Sequence, residues 1–433
     1  MDPDGTFPVH SNLKAACAQV DITPENVTDG IDIVGHRRIV REVRDPLKAG
    51  VLLLDDSETQ VAIVTLDLIY PYEPLLKGIR AEVEKATGIL GANVMVAASH
   101  THSAPFCDKD DAYVQSVATK VGTAASLASG QYQKVSIGYG EDAVNFPLNR
   151  RKVIDGRVVI RMNPDGPNDP RVKVLRFDTG ESLTPMALLM HATCHPCCFT
   201  WGDKGSPPYP DGYPKMSADF PGEARAFVEQ VYGGDTHALF LQGCAGDIRP
   251  NLPGYPYRCA DEADIQWCGR DFGGAVIRAL AKQATREELQ KRETFYPVRV
   301  ASEVVKLPGK QAPVPAELMV LKVGPFLFLA MPGEPMVEYG FKLEEAIADR
   351  AIPIVLGYTN GKLGYVATAD SYSVGGYEPE LSPLKPEAEQ VILEALGRLA
   401  DKVVGDVLLT FSKHPQDIAK RKAEEQKRQS PGQ

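Results

Sequence analysis

VAIVTLDLIYPYEPLLKGIRAEVEKATGILGANVMVAASHTHSAP, residues 61–105, decides the fold class. VAIVTLDLI is an apolar run rich in β-branched residues and short enough for a buried strand. LLKGIRAEVEKATG spaces its apolar residues at helical intervals. GILGANVMVAAS supplies another buried strand that ends directly at His100-Thr101-His102. Upstream, AACAQVDI (15–22) reads as a first strand closed by the turn TPEN, and GVLLLDD (50–56) forms a hairpin with VAIVTLDLI across SETQ. Downstream, a helix is expected near 112–129, short β-like runs over 131–180, and a strand PMALLMHA delivering His191. A helix near 221–232, the strand HALFLQG (237–243) and a long helix near 262–290 follow. β-like runs at 298–306 and 316–331, a helix opening near Pro335 and the run IPIVLG complete the pattern. Strands alternating with helices favour α/β, and paired strands without crossovers favour mixed sheets with flanking helices. Residues 1–12 read as a loose leader, 13–411 as one α/β domain, and 412–433 as a charged, disordered tail. No internal repeat is visible in the sequence.

Of the 433 residues, 43% are hydrophobic, enough for a large core, and the net charge is −10. That balance argues against nucleic acid as a partner and gives no long-range field toward an acidic bilayer, although a local basic patch is compatible with it. No stretch reaches the roughly 18 apolar residues of a membrane span, so stable membrane insertion is not expected. The N-terminus lacks a secretory pattern, and eight cysteines are too sparse for a disulfide scaffold. Cys194, Cys197, Cys198 and Cys244 read as buried small apolar groups, and the protein as cytoplasmic.

Four of the eight histidines fall in two short clusters, His100 with His102 and His191 with His195. Both clusters open at the end of an apolar run, where α/β proteins place reactive groups. Imidazole is a good zinc ligand because it is neutral and nucleophilic near pH 7. Two residues apart on extended backbone, His100 and His102 can face one site. His195 precedes Pro196 and reads equally as a turn residue. In QGCAGDIRPN (242–251) the glycines permit close backbone approach, and Asp247, Arg249 and Asn251 are convergent polar groups. FLFLAMPGEPM (326–336) breaks at Pro332-Gly333 and presents Glu334, either as a stabiliser of the following helix or as a carboxylate ligand. GYTNGKLGYVATADSYSVGGYE, from Gly357, has the glycines and tyrosines of a substrate-lining loop.

Together these motifs resemble the catalytic N-terminal domain of the neutral/alkaline, non-lysosomal ceramidase family. The resemblance runs from Val20-Asp21-Ile22-Thr23-Pro24 through Asp45-Pro46-Leu47-Lys48-Ala49, ASHTHSAP (98–105), HATC (191–194), GCAGDIRPN (243–251) and PGEP (332–335) to the Asn360–Glu378 loop. It implies one Zn2+ held by His100, His191, Glu334 and an unusual tyrosine ligand, Tyr365. It further implies a catalytic His102, a Tyr377 that holds substrate or its oxyanion, and an Arg150 lining the pocket. Asp219 matches an aspartate set behind the ligands. Arg249 stands where the family usually has serine, which favours an anionic or strongly polar substrate. The signal and C-terminal β-sandwich of secreted members are not expected here.

The expected activity is zinc-dependent amide (N-acyl) hydrolysis through a metal-activated water. His102 would move the proton, and Asp219 or Asp247 would fix a liganding imidazole through its other nitrogen. Arg150, Arg249 and Asp247 would contact a small or amphiphilic acylated substrate. A zinc esterase or lactonase, and a noncatalytic small-molecule or carbohydrate-binding protein, are the other readings of the same residues.

Overall fold

The computed structural model describes residues 11–33, 38–109, 111–179, 185–198, 215–233, 235–252, 261–281 and 295–404. The expected leader up to residue 10, the end of the helix expected near 262–290, and the tail therefore lie outside the described residues.

The architecture is α/β with mixed sheets, and it is built three times from one plan. The first unit runs through strands Lys14–Asp21, Lys48–Asp55 and Gln60–Leu66, helix Glu73–Thr87, strand Val94–Ala98 and helix Ala112–Ser129. The second has strands Ser136–Ala143, Arg171–Asp178 and Ala187–Ala192, helix Asp219–Tyr232, strand His237–Gln242 and helix Glu262–Ala281. The third has strands Val298–Leu307, Val314–Val323 and Phe326–Ala330, helix Val337–Ile347, strand Ile352–Leu356 and helix Ala388–Val404. In each sheet these four strands take the same order, with the last strand beside the third, the third beside the second and the second beside the first. The third and fourth strands are parallel across the helix that joins them, and the other neighbours are antiparallel. A helix crossover is the ordinary way to bring two consecutive strands into parallel register.

Both faces of the inner strands are covered, so strands such as Lys48–Asp55, Gln60–Leu66 and Ala187–Ala192 are buried throughout most of their length, whereas the edge strand Val298–Leu307 is partly exposed. In Lys48–Asp55, Val51 and Leu53 face the first unit's helices, while Leu52 and Leu54 face a central core. That central core draws on all three sheets, with Ile63 and Met95 from the first, Leu189 and Leu241 from the second, and Phe328 and Leu356 from the third. Outer cores fill the space between the second and third sheets and their own helices. At the carboxyl ends of the crossover strands the units are stitched together. The Gln242 side chain donates to the Ser99 and Cys194 carbonyls at 3.1 and 2.7 Å, and its backbone carbonyl accepts from Gly357 at 3.2 Å. Asn360 pairs with Val96 through its backbone N–H (2.8 Å) and its side-chain oxygen (2.9 Å).

The strands Pro147–Ile154 and Arg157–Asn163 form a separate antiparallel ribbon, joined at its base by Ile248–Pro250. Replacing Phe328 in the central core by alanine should cost about 3–5 kcal/mol. Val153→Ala, on the ribbon at 62% exposure, should cost less than about 0.5 kcal/mol. Urea unfolding midpoints compare the two, and equal losses would contradict the shared core.

Candidate metal centre

His100 lies two residues past the strand Val94–Ala98, in a left-handed backbone with φ +68°. Its N–H donates to Leu68 (2.9 Å), and the next turn is anchored where Thr101 Oγ1 donates to Ser217 (2.8 Å) and the His102 N–H to Pro196 (3.0 Å). His195 lies three residues past Ala187–Ala192, and its N–H donates to Ile248 at 3.1 Å. Glu334 follows the turn at Gly333, whose φ is +81° and whose Cβ, if it had one, would stand 2.5 Å from the Gly364 carbonyl. Only glycine fits that turn. The Glu334 N–H donates to Gly364 at 2.8 Å, and Glu334-Pro335 pairs in parallel with Tyr365-Val366. Gly246 runs so close behind that a Cβ there would be 2.5 Å from the Glu334 carbonyl, which accounts for one glycine of GCAGD.

His100 Nδ1 donates to the Ile69 carbonyl at 2.9 Å. His195 Nδ1 donates to the carbonyls of Ala245 and Ile248, the latter at 3.0 Å. A carbonyl only accepts, so both rings carry their proton on Nδ1 and present an Nε2 lone pair when neutral. Those two Nε2 atoms lie 3.3 and 3.1 Å from the same oxygen, Glu334 Oε2. His102 Nε2 is 3.3 Å from His100 Nε2, and the ligand atoms of His100, His102 and His195 all fall within 4.8 Å of one another. Burial pushes His195 down to about 4 and His102 well below the ordinary imidazole range. Burial alone would raise the Glu334 carboxyl, but His100 and His195 hold it well below the usual carboxylate range. Two imidazole Nε2 atoms and one carboxylate oxygen thus converge in a buried space. Ligands at about 2.0 Å around a tetrahedral zinc ion stand about 3.3 Å apart, so the donor set and its spacing fit a metal ion.

Around these donors, Tyr70 donates to Glu334 Oε1 through a short hydrogen bond. The buried Tyr358 ring lies 4.3 Å from the His100 ring, centroid to centroid. Tyr365 Oη accepts from Arg150 Nη2 at 3.1 Å, and Arg150 also donates to Glu378 (2.9 Å) and to the Gly246 carbonyl (2.7 Å). The half-exposed Tyr377 packs edge-on against Tyr365 at 5.5 Å. His100, His102, Glu334, Tyr365, Arg150 and Tyr377 are therefore gathered in one place.

His191 is not. It sits within its strand, opposite Lys173, and its Nε2 donates to the Val355 carbonyl at 3.0 Å. Lys173, Asp169 and Glu344 are its charged surroundings. The second histidine of the centre is His195, four residues on. Asp219 and Asp247 also differ from expectation, because backbone carbonyls and not carboxylates fix the imidazoles. Asp219 accepts from the Cys198 and Phe220 N–H groups at 2.9 and 2.7 Å. Asp247 accepts from the Val337 N–H and Asn149 Nδ2 at 2.9 and 2.8 Å, pinning a helix start to the ribbon's base, and burial pushes its carboxyl up to about 7. Arg249 is buried on Ile248–Pro250, where its charge acts on the Cys194 thiol. Tyr70, Tyr358 and Glu378 are site residues that sequence reasoning missed. Tyr70 stands four residues past a strand end, a position that could have revealed it.

Two solved structures share this architecture. A neutral ceramidase from Pseudomonas aeruginosa matches over 90% of this chain and 74% of its own, with TM-score 0.73 and 17% identity. A ceramidase complexed with C2 matches over the same shares with TM-score 0.72 and 17% identity. The chain has a ceramidase-like fold. No family model and no curated protein matches the sequence. His195→Ala should abolish stoichiometric bound metal while His191→Ala retains it, measured by elemental analysis of the purified chains. The reverse pattern would return the second ligand to His191.

Proposed function

We propose that this protein is a zinc-dependent hydrolase that cleaves the amide (N-acyl) bond of a small or amphiphilic substrate. The observation that carries the reading is the convergence of His100 and His195 Nε2 on Glu334 Oε2, both rings locked by backbone carbonyls. His100, His195 and Glu334 would hold one zinc ion, with Tyr365 as the further ligand. A zinc ion in that position supplies Lewis acidity, lowering the pKa of water and polarising an acyl carbonyl.

The chain's own groups do the rest. His102, neutral and half-buried beside His100, accepts the proton of the attacking water and returns it to the leaving amine. Tyr377 donates to the substrate carbonyl oxygen as negative charge grows on it. Arg150 orients Tyr365 through its hydrogen bond and flanks the Tyr377 ring at 5.5 Å. Tyr70 holds the outer oxygen of Glu334, so the inner one faces the histidines. Asp219 and Asp247 position the loops that carry His195 and the helix behind Glu334.

Residues 13–411 are taken as one catalytic unit, since all three sheets meet in the central core and supply the site. No described helix is long and apolar enough to cross a membrane. A cytoplasmic location is supported by the seven described cysteines, all free and buried.

The test is turnover of matched N-acyl amides and esters by metal-stripped and zinc-restored protein. Zinc-dependent amide cleavage is expected, and cleavage of esters alone would make the enzyme an esterase or lactonase. His102→Ala should retain zinc and lose about 10²–10⁴ in kcat. Loss of zinc together with activity would make His102 a ligand instead.

A further inference from the structure

Six of the fifteen large apolar side chains exposed among the described residues belong to two touching segments. Val153, Ile154 and Val159 are on the Pro147–Asn163 ribbon, at 62%, 44% and 36% exposure. Val374, Tyr377 and Leu381 are on residues 371–381. The segments meet where Arg151 donates to the Gly375 carbonyl at 2.8 Å, and where a Cβ on Gly376 would stand 2.7 Å from Val158 Cγ1. Beyond its base the ribbon has no third strand among the described residues, where its outer half is a two-stranded blade.

Its charge is opposite to that of the whole chain. Lys152, Arg157 and Arg161 flank the apolar tip, with Asp155 in the turn and the exposed Glu380 on the neighbouring segment as local anions, on a protein of net charge −10. Arg157 and Arg161 are exposed and Lys152 half-buried. In register, Lys152 pairs with Val159 and Ile154 with Arg157 on one face of the blade, while Val153 pairs with Val158 on the other, against which residues 371–381 pack, so the exposed apolar groups gather at the tip from both faces. Apolar side chains ringed by lysine and arginine match a lipid surface, where the apolar groups enter the interface and the cations meet anionic headgroups. The blade also leads to the metal centre, because Arg150 at its base donates to Tyr365 and Tyr377 packs on Tyr365.

We propose that the outer half of the Pro147–Asn163 ribbon, with residues 371–381, docks on an anionic lipid surface and brings amphiphilic substrate to the centre. The delivery of substrate rests on the hydrolase reading above, whereas docking does not.

Flotation of the whole protein with vesicles tests it. Phosphatidylcholine vesicles containing phosphatidylglycerol should bind the protein, and pure phosphatidylcholine vesicles should bind on the order of tenfold more weakly. The double variant Val153→Ser/Ile154→Ser and the single variant Arg157→Glu should each lower affinity for the anionic vesicles by on the order of tenfold. Metal content and turnover of a monomeric short-chain amide should stay unchanged in both, while turnover of a long-chain amide held in those vesicles falls. Absence of vesicle binding, equal binding to neutral vesicles, or variants that bind like the parent would overturn the proposal. So would sedimentation showing a dimer that the serine variant splits, since a second copy would then be the occupant. Vesicle binding by a protein that cleaves no amide would uphold docking and sink the hydrolase reading.

Discussion

Two anchored imidazoles govern the site, His100 through Nδ1 to the Ile69 carbonyl and His195 through Nδ1 to the Ala245 and Ile248 carbonyls. Each anchor uses a ring's Nδ1 proton on an acceptor that cannot return it, so in the neutral ring the opposite nitrogen is left as an electron pair. Each also fixes ring orientation, which a strand end alone would leave free. Both electron pairs then point at one carboxylate oxygen in a buried space. Such a cluster would be costly without a cation, because buried charges and lone pairs need partners.

The threefold plan explains how residues so distant in sequence reach that point. His195 and Glu334 follow the third strand of the second and third units, and Tyr70 follows the third strand of the first. His100 and Tyr358 each lie two residues past the fourth strand of their units. The central core brings those strand ends together, and Gln242 and Asn360 tie them across unit boundaries. Of the six non-glycine residues with positive φ among the described residues, His100, Asp219, Tyr358 and Asn360 lie in or beside these loops. Backbone conformations of this kind persist where surrounding packing over-determines them.

Much of this was legible in the sequence. The apolar runs located most strands, and the break at Pro332-Gly333 marked Glu334. The exchange of His191 for His195 has a physical reason. A side chain inside a strand is committed to a sheet face and its neighbours, as His191 is to Lys173 and Val355. A residue two to four positions past the strand is free to converge on a site, as His100, His195 and Glu334 do. Tyr70 was hidden because DLIYPY reads as core, and its ring is indeed buried. Nothing in the sequence distinguishes an aspartate that accepts backbone N–H groups, like Asp219, from one that orients a ligand. The repeat of the fold leaves no sequence trace, because each unit needs only two-faced apolar strands and a crossover helix.

X-ray absorption at the metal edge of the purified protein tests the centre most directly. A shell of nitrogen and oxygen at about 2.0–2.1 Å with two-imidazole scattering is expected. A sulfur shell at about 2.3 Å would place the metal among the cysteines and contradict the centre described here.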